Sequence, residues 1–307
     1  MDDPTIAVVV PTYRRPESLE RCLDAIAAQT VAPERIVVVV RRGDSETAAA
    51  LPRLHAKLPF ETATVAQSGV VAAMDAGVAL CEEEVVAVTD DDATPHVDWL
   101  ETLRSRYGPG IGGVGGRDLV EHPSHLARRP DPVVGRLTWF GRLHGNHHLG
   151  VGDVREVDVL KGVNMSLRRE LWETDRRLRG DGAQVHWEIG MCLSAKGRGW
   201  RLLYDPSARV DHFPGPRHDA DDRARQTLGA RFDSEWNYAY ALGRHLPVWR
   251  LPVAAMYLVG VGTRGAPGVV AYAASVRRQG RPVGTARPFA LTRTRISALA
   301  AGIRNRR

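Results

Sequence analysis

Short apolar runs alternate with amphipathic stretches along the first 120 residues of the chain. Residues 6–10, 35–40 and 85–89 are dominated by valine and other apolar residues, a pattern typical of parallel strands that are buried on both faces. The stretches between them carry apolar residues at helical spacing. This alternation predicts an α/β fold with a Rossmann-like, doubly wound and mostly parallel sheet. The elements predicted are strands over residues 6–10, 35–40, 61–65, 85–89 and 111–119, and helices over residues 16–29, 46–57, 70–81 and 97–107.

Beyond residue 120 the pattern becomes less regular. Residues 120–155 show no sustained period, and a loop of that length inside a compact domain is usually functional or mobile. Regular patterning then resumes. The elements predicted there are a strand over residues 157–160, a helix that follows residues 162–166 and runs to residue 172, a helix over residues 186–196, and extended segments over residues 200–204 and 209–212.

Three consecutive carboxylates, Asp90, Asp91 and Asp92, follow the predicted strand over residues 85–89. Open α/β sheets bind their ligands beyond the carboxyl ends of the strands. Adjacent anions repel one another unless a cation lies among them, and hard divalent cations take oxygen ligands and usually share them with substrate phosphates. The segment is therefore interpreted either as a metal site beside a phosphorylated substrate or as a solvated acidic turn.

The irregular stretch over residues 120–155 is rich in histidine, which raises the alternative of a zinc site. No cysteine or carboxylate pattern in the stretch completes a zinc ligand set. A solvated loop that contacts the substrate is therefore the interpretation we favour. The histidines concerned are His122, His125, His144, His147 and His148.

The charge of the chain is unevenly distributed. The net charge is +6, but residues 236–307 contain twelve arginines and no Asp, Glu or Lys, so the preceding residues carry −6 in total. This change divides the chain into a main domain over residues 1–235 and an apolar, arginine-rich, helical segment over residues 236–307. Apolar helices fringed by arginine are typical of segments that lie on an anionic membrane surface. A helical cap packed on the main domain is the alternative.

Other features bear on location and partners. The N-terminal residues lack the basic and apolar regions of a signal peptide, and no run approaches the ~20 apolar residues of a spanning helix. Cys22 and Cys81 lie among apolar residues, which favours reduced core thiols. We therefore expect a cytoplasmic protein, peripheral on the inner face of the cell membrane. No nucleic-acid-binding motif accompanies the basic charge, so nucleic acid is not an expected partner.

Taken in order, four segments resemble the inverting GT-A glycosyltransferases of family 2. Residues 8–15 are similar to that family's first strand and nucleotide loop, residues 89–95 to its DxD metal motif, and residues 162–166 to its glycine–asparagine segment on the acceptor side. The last motif is matched by residues 187–212, in which an acidic helix start is followed by a Gly-Trp pair, a proline and a histidine. The resemblance covers residues 5–213 and implies a GT-A catalytic domain.

The resemblance also implies roles for individual residues. Glu188 would be the catalytic base, with Asp181 in reserve, and the metal ligands would be Asp90, Asp92 and His212. The candidate residues for binding the donor nucleotide are Pro11, Thr12, Arg14, Arg41, Asp44, Gln67, Asp90 and Asp91. The candidate acceptor residues are Trp139, Asn164 and Trp187, although Trp139 could equally fix its own loop.

The chain departs from the family pattern at three of these positions. Arg41 stands where the family usually has an Asp that contacts the base of the nucleotide, so either Asp44 takes over that contact or Arg41 faces the diphosphate. Glu188 replaces the usual Asp of the catalytic base, and Trp187 replaces the Glu before it. A helix start favours an ionised Glu188, whereas shielding by Trp187 favours the neutral form; the sequence leaves this balance open.

The activity implied is that of a metal-dependent inverting glycosyltransferase, of the hexosyltransferase type, with Mn²⁺ or Mg²⁺ as cofactor. It would move a sugar from a nucleotide-sugar donor to a hydroxyl of a glycan or lipid-linked saccharide in cell-envelope polysaccharide synthesis. UDP is the expected nucleotide, with GDP or dTDP as alternatives. A nucleotidyltransferase is a competing hypothesis, but the segment Pro11-Thr12-Tyr13 is not the glycine-rich phosphate loop such enzymes carry. A non-catalytic, membrane-bound binding module is another.

Overall fold

The computed structural model describes residues 3–120, 129–215, 227–263, 266–279 and 288–306. These residues form a nine-stranded sheet, a two-stranded ribbon and flanking helices. The strands of the sheet are β1 Ile6–Thr12, β2 Arg35–Arg41, β3 Glu61–Val65, β4 Val85–Val88, β5 Ala93–Pro95, β6 Ile111–Val120, β9 Arg155–Val157, β10 Met165–Arg168 and β11 Arg201–His212. The ribbon pairs β7 Arg136–Leu137 with β8 Leu143–His144.

The helices cover the sheet and extend to the C-terminal end of the described chain. They are α1 Pro16–Ala27, α2 Ser45–Lys57, α3 Val70–Val78, α4 Trp99–Ser105, α5 Trp187–Gly197, α6 Leu228–His245, α7 Leu251–Met256, α8 Val269–Gln279 and α9 Pro288–Arg304. A π-helical turn, Tyr257–Val261, follows α7.

The sheet is mostly parallel, as the alternating pattern predicts. Its order is β3-β2-β1-β4-β10-β6-β11-β5, with β9 pairing beside β11. The strands β1 to β4 run parallel to one another, and β6 and β11 share a parallel ladder. Every residue of β4 is buried, which is why this strand is an unbroken apolar run rather than an alternating one. The carboxyl end of β4 therefore lies at the centre of one edge of the sheet.

The prediction of a helix after residues 162–166 is wrong. Residues Met165–Arg168 form β10, which is antiparallel to both β4 and β6, and only one 3₁₀ turn, Arg169–Leu171, follows. The local residues favour a helix, because Met, Leu and Arg are good helix formers. Pairing with two neighbouring strands overrides that preference, since β10 fills the gap between them.

The extended segments predicted over residues 157–160, 200–204 and 209–212 also differ from the structure. The extended segments over residues 200–204 and 209–212 belong to a single strand, β11, with a shift of register between Asp205 and Arg209. The shift accommodates Pro206, which cannot donate to a ladder. The strand predicted over residues 157–160 is instead β9, Arg155–Val157, and the buried residues Val159 and Leu160 continue it without strand pairing.

Residues 129–150 are only partly solvated: Val134, His147 and Leu149 are buried, whereas Val133 and Trp139 are exposed. The predicted contact of this segment with a substrate stays a prediction. His147 is buried, one ring nitrogen lies 2.9 Å from the carbonyl of Val159, and its own carbonyl accepts a hydrogen bond from Tyr204. Burial lowers the pKa of His147 to about 4. His122 and His125 lie outside the described residues. His147 therefore has a structural role in anchoring this segment.

The C-terminal helices α6, α7 and α9 pack on the main domain. Leu242, Leu251 and Leu299 share one apolar core with Trp187 of α5. Glycines allow α6 and α9 to approach closely, since a Cβ at Gly302 would lie 2.3 Å from the carbonyl of Tyr240. Within the part of the chain that the structure describes, no helix is long and apolar enough to cross a membrane. The helices α6, α7 and α9 therefore form a cap packed on the main domain, and contact of this segment with a membrane surface stays a prediction.

The helix α6 begins before residue 235 and continues past it, so the change of composition falls within a helix. Glu235, the last carboxylate of the chain, pairs with the fully buried Arg295 of α9. The division at residues 235 and 236 stays a prediction, since it rests on composition.

Candidate active site

The three carboxylates after β4 face different surroundings. The side chain of Asp91 is fully buried. It accepts a hydrogen bond of 2.7 Å from Thr12 at the end of β1 and forms an ion pair of 2.7 Å with Arg15. Burial raises the pKa of Asp91 to about 7, although Arg15 opposes that rise. Asp91 therefore joins β4 to β1 and lies beneath the surface of the site.

Asp92 lies between the first loop and the last strand of the domain. One of its carboxylate oxygens accepts hydrogen bonds of 2.8 Å from Arg15 and from the backbone N–H of Gly215. The other lies 3.4 Å from a ring nitrogen of His212, because β5 and β11 pair antiparallel with His212 opposite Ala93. Burial alone would raise the pKa of Asp92, but His212 and Arg15 hold it well below its usual range.

The predicted metal ligands come together in the structure. Asp90, Asp92 and His212 each offer a ligand atom, and these atoms lie within 4.8 Å of one another. One carboxylate oxygen of Asp92 and both ring nitrogens of His212 are buried without a hydrogen-bond partner among the described residues. Oxygen ligands joined by one imidazole suit Mn²⁺, and carboxylates suit Mg²⁺. The residues present therefore fit the divalent cation that the sequence predicts.

A stack of three side chains lies at the carboxyl ends of β1 and β2. The guanidinium groups of Arg14 and Arg41 lie 5.2 Å and 4.7 Å from the ring centre of Tyr13. Tyr13 is not among the predicted site residues, although an aromatic residue followed by arginines at the end of a strand is a usable signal. Pro11 is the last residue but one of β1. The three side chains therefore put two positive charges and a flat ring at the edge of the sheet where β1 and β2 end.

Asp44 is a buried structural residue in this structure. Its carboxylate caps α2 by accepting hydrogen bonds from the backbone and the side chain of Thr47, at 3.0 Å and 2.6 Å. It also accepts a hydrogen bond of 2.6 Å from the backbone N–H of Arg14, which has a left-handed φ of +55°. Asp44 thus fixes the loop after β1, and its contact with a nucleotide base stays a prediction. Gln67, another candidate for the nucleotide, is exposed after β3.

On the other side of the site, aromatic packing positions the start of α5. The ring of Trp187 is buried and lies so close to Gly162 that a Cβ there would be 2.6 Å from it. Trp172 stacks on Trp187 with ring centres 6.3 Å apart. Only a glycine at position 162 leaves room for this arrangement. A contact between the buried Trp187 and an acceptor stays a prediction.

Glu188, next to Trp187, lies in the first turn of α5 and is partly buried. Burial raises the pKa of Glu188 to about 7, opposed by its own backbone N–H and by Lys161, while the charge of Asp90 raises it further. Burial therefore outweighs the helix start in the balance that the sequence left open. Asp181, the reserve candidate, is exposed in a turn before the helix.

The backbone before α5 is held in an unusual conformation. Gln184 and His186 have φ values of +42° and +76°, a region that non-glycine residues rarely occupy. The amide of Gln184 fixes the segment, since it accepts a hydrogen bond from the backbone N–H of Val71 and donates one to the carbonyl of Leu178. Such strain is common where a functional residue must be oriented, and here it directly precedes Glu188.

The remaining acceptor candidates lie in different surroundings. Asn164 is almost completely buried, and its amide bonds to Trp99 and to the carbonyls of Arg117 and Ala208. Its side chain therefore holds strands and a helix together, and its contact with the acceptor stays a prediction. Trp139 is 58 % exposed at the tip of the ribbon, where Arg250 donates a hydrogen bond to its carbonyl.

Comparison with known proteins agrees with this geometry. The family model described as "Glycosyltransferase like family 2" matches residues 4–228. The chain belongs to glycosyltransferase family 2. A curated relative of this family 2 glycosyltransferase, the glucosyl-dolichyl phosphate glucuronosyltransferase of Haloferax volcanii, is 30% identical over 224 residues, which are 67% of this chain and 68% of the relative. The predictions of family and of glycosyltransferase activity are therefore confirmed.

Solved structures confirm the predicted GT-A fold. GalNAc-T7 with UDP, GalNAc and Mn²⁺ superposes with a TM-score of 0.61 at 13% identity, covering 99% of this chain and 56% of that one. The mannosyltransferase PcManGT of Pyrobaculum calidifontis, with GDP-Man and Mn²⁺, superposes with a TM-score of 0.50 at 19% identity, covering 99% of this chain and 88% of that one. The family 2 chain thus spans just over half the length of GalNAc-T7.

Proposed function

We propose that this protein is a metal-dependent, inverting glycosyltransferase that moves a sugar from a nucleotide-sugar donor to a hydroxyl of a lipid-linked saccharide or glycan. Asp90 and Glu188 supply the most direct support. The carboxylate of Asp90 belongs to the group that fits a divalent cation, and its charge reaches Glu188, the partly buried carboxylate whose pKa is raised to about 7. One edge of the sheet thereby offers a cation site and a candidate base.

On the donor side, Asp90, Asp92 and His212 would hold Mn²⁺ or Mg²⁺. When bound, such a cation stabilises the negative charge of a leaving diphosphate. Arg14 and Arg41 present guanidinium groups that pair well with phosphate oxygens, and both contact the flat ring of Tyr13. UDP is the nucleotide we expect, with GDP and dTDP as alternatives.

On the acceptor side, Glu188 acts as the general base. As the acceptor oxygen forms its bond to the anomeric carbon, the bond from that carbon to the diphosphate breaks and the hydroxyl proton passes to the carboxylate of Glu188. A base with a pKa near 7 is well matched to this task at neutral pH. A single displacement of this kind inverts the anomeric configuration.

The curated relative named for glucosyl-dolichyl phosphate supports a lipid-linked saccharide as the acceptor. Such an acceptor is held in a membrane, so the enzyme would work at a bilayer surface. The arginine-rich segment over residues 236–307, without any carboxylate, favours an anionic surface. We place the enzyme at the inner face of the cell membrane, in cell-envelope polysaccharide synthesis.

The donor site is tested by melting the protein with UDP, GDP, dTDP and CDP, each with and without Mn²⁺. A ligand that binds only the folded state stabilises it by about 2.7 kcal/mol at a hundred times its dissociation constant. We expect one nucleotide to raise the melting temperature, with a large part of the rise requiring Mn²⁺. The variant Asp92→Asn should lose the metal-dependent part. No shift with any nucleotide would refute the donor site.

The catalytic base is tested with the variants Glu188→Gln and Asp181→Asn. Removing a general base costs about 10²- to 10⁴-fold in rate, so Glu188→Gln should lose transfer while it retains the nucleotide-dependent stabilisation. Asp181→Asn is the matched control and should remain active. The opposite result would transfer the role to Asp181. A product that retains the anomeric configuration of the donor would contradict the single displacement.

A further inference from the structure

An exposed apolar stripe runs along α7 and the turn before it. Trp249, Pro252 and Met256 are spaced three and four residues apart and are all exposed, with Trp249 at 71 % and Met256 at 65 %. Residues at this spacing share one face of a helix. The opposite face, with Leu251 and Ala254, is buried in the core. Isolated exposed apolar residues need no explanation, but a contiguous row of them indicates a binding surface.

The apolar stripe is joined to the ribbon that carries Trp139. Arg250, the residue after Trp249, donates hydrogen bonds of 2.7 Å and 2.9 Å to the carbonyls of Thr138 and Trp139. The rings of Phe140 and Tyr257 lie 5.0 Å apart. Two distant segments of the chain therefore present exposed tryptophans on the same part of the surface.

The helix α8 begins against the turn that follows α7 and carries positive charge in its last turn. Val270 of α8 is 65 % exposed, and its side chain lies 3.8 Å from the position of a Cβ on Gly260, in the turn after α7. The last turn of α8 carries Arg277 and Arg278, both exposed. The surface thus combines tryptophan, aliphatic side chains and arginine, and residues 236–307 contain no carboxylate.

We propose that the apolar stripe and α8 form a docking surface for an anionic lipid bilayer. Tryptophan suits the boundary between water and hydrocarbon, and basic residues near an anionic surface add affinity. A second copy of the chain fits less well, because each copy would bring arginines and no carboxylates from this segment. The inference rests on the proposed function, in which the acceptor is lipid-linked.

The docking surface is physically connected to the candidate base. The hydroxyl of Tyr238 donates a hydrogen bond of 2.6 Å to the carbonyl of Gly141, next to the exposed tip of the ribbon. The ring of Tyr238 contacts that of His186 at 5.1 Å, and His186 stands two residues before Glu188. Docking through the stripe would therefore hold the acceptor side of the site at the bilayer.

The test is sedimentation of the full chain with vesicles of phosphatidylcholine, alone or mixed with phosphatidylglycerol. We expect the wild-type protein to bind the mixed vesicles more tightly. The double variant Trp249→Ser/Met256→Ser should bind both kinds of vesicle roughly tenfold more weakly or worse. Arg277→Gln/Arg278→Gln should lose about tenfold on the mixed vesicles only, and the charge-preserving Arg277→Lys/Arg278→Lys should bind as wild type.

Val97→Ser is the matched control for the stripe, since Val97 is exposed, at 54 %, before α4. Thermal melting checks that every variant is folded. Binding by Trp249→Ser/Met256→Ser that equals wild type, or no binding by wild type to any vesicle, would overturn the docking surface. A dimer in solution that the same double variant abolishes would assign the stripe to a second copy instead.

Transfer to a water-soluble acceptor separates this inference from the proposed function. Wild-type protein that transfers sugar to a soluble acceptor but does not bind vesicles would contradict the docking surface alone. Protein that binds vesicles through the stripe but neither binds nucleotide nor transfers sugar would contradict the proposed function and leave the bilayer contact standing.

Discussion

The two sides of the candidate site are held by different forces. On the donor side, Arg15, Asp91 and Asp92 form a buried network of ion pairs and hydrogen bonds at strand ends. On the acceptor side, Glu188 is positioned by packing, with Trp187 pressed on Gly162.

The two sides should therefore tolerate different kinds of substitution. A buried charge network is disrupted when one partner is removed, whereas a packed helix start is disrupted when volume is added. Removal of one charged partner should therefore harm the donor side most, and a single added methyl group should harm the acceptor side.

The largest effect is expected from Arg15→Ala. The substitution leaves two buried carboxylates without their shared partner, which should cost about 3 kcal/mol of folding free energy, near the lower end for buried pairs because the guanidinium is partly exposed. Urea unfolding measures this loss, and Mn²⁺ titration followed by electron paramagnetic resonance measures the change in metal affinity. The control is Arg21→Ala, because Arg21 is an exposed residue of α1 that donates a hydrogen bond to Ser18. Equal stability of both variants would contradict the network.

The next effect concerns pH and Glu188. Burial raises the pKa of this carboxyl from its ordinary 4.5 to about 7, so between these values the folded state binds more protons than the unfolded state. The contribution of Glu188 to the free energy of unfolding is therefore largest below pH ~4.5. It falls by up to roughly 3 kcal/mol as the pH rises to ~7. Glu188→Gln should therefore gain stability relative to wild type across that window.

Activity should change in the opposite direction over the same range. A general base must be ionised, so kcat/KM should rise about tenfold per pH unit below ~7 and level off above it. Urea unfolding and initial rates at a series of pH values check both trends. If the difference in unfolding free energy between Glu188→Gln and wild type did not change from pH 5 to 8, Glu188 would titrate as an ordinary solvated carboxylate.

A smaller effect on stability is expected from Gly162→Ala. The new methyl group would lie within 2.6 Å of the ring of Trp187, so the start of α5 must shift, at about 1–3 kcal/mol. Because Glu188 shifts with it, kcat should fall while nucleotide binding is retained. Gly197→Ala, at the end of α5 with no atom near its Cβ position, is the control. Loss of nucleotide binding in Gly162→Ala would mean that the two sides are not independent.

The parallel half of the fold could be predicted from residue patterns because its signals are local. Strand β3 begins and ends as predicted, at Glu61 and Val65, and the carboxylates after β4 lie at the predicted edge of the sheet. The three candidate metal ligands could be predicted from local patterns only in part. The positions of Asp90 and Asp92 follow from the strand before them, while His212 entered through family resemblance and reaches Asp92 only because β5 and β11 pair antiparallel.

Other features of the site could not be predicted from local signals. Asp44 looks like a residue available for a ligand, yet its carboxylate is used to fix α2 and the loop after β1. Tyr13 and Arg15 are not among the predicted site residues, because their roles depend on Arg41 and on the carboxylates after β4, which are distant in the sequence. Each case depends on which side chains the fold brings together.

The sequence by itself determined the alternation of strands and helices, the acidic cluster at a strand end, the acidic helix start at Glu188 and the basic C-terminal segment. Periodicity and charge are properties of neighbouring residues, so they can be read without coordinates. The tertiary structure alone decided that Met165–Arg168 is a strand, that the C-terminal helices α6, α7 and α9 pack on the main domain, and that Glu188 is partly buried. These outcomes depend on pairing and packing between residues far apart in the chain, whose partners no local pattern specifies.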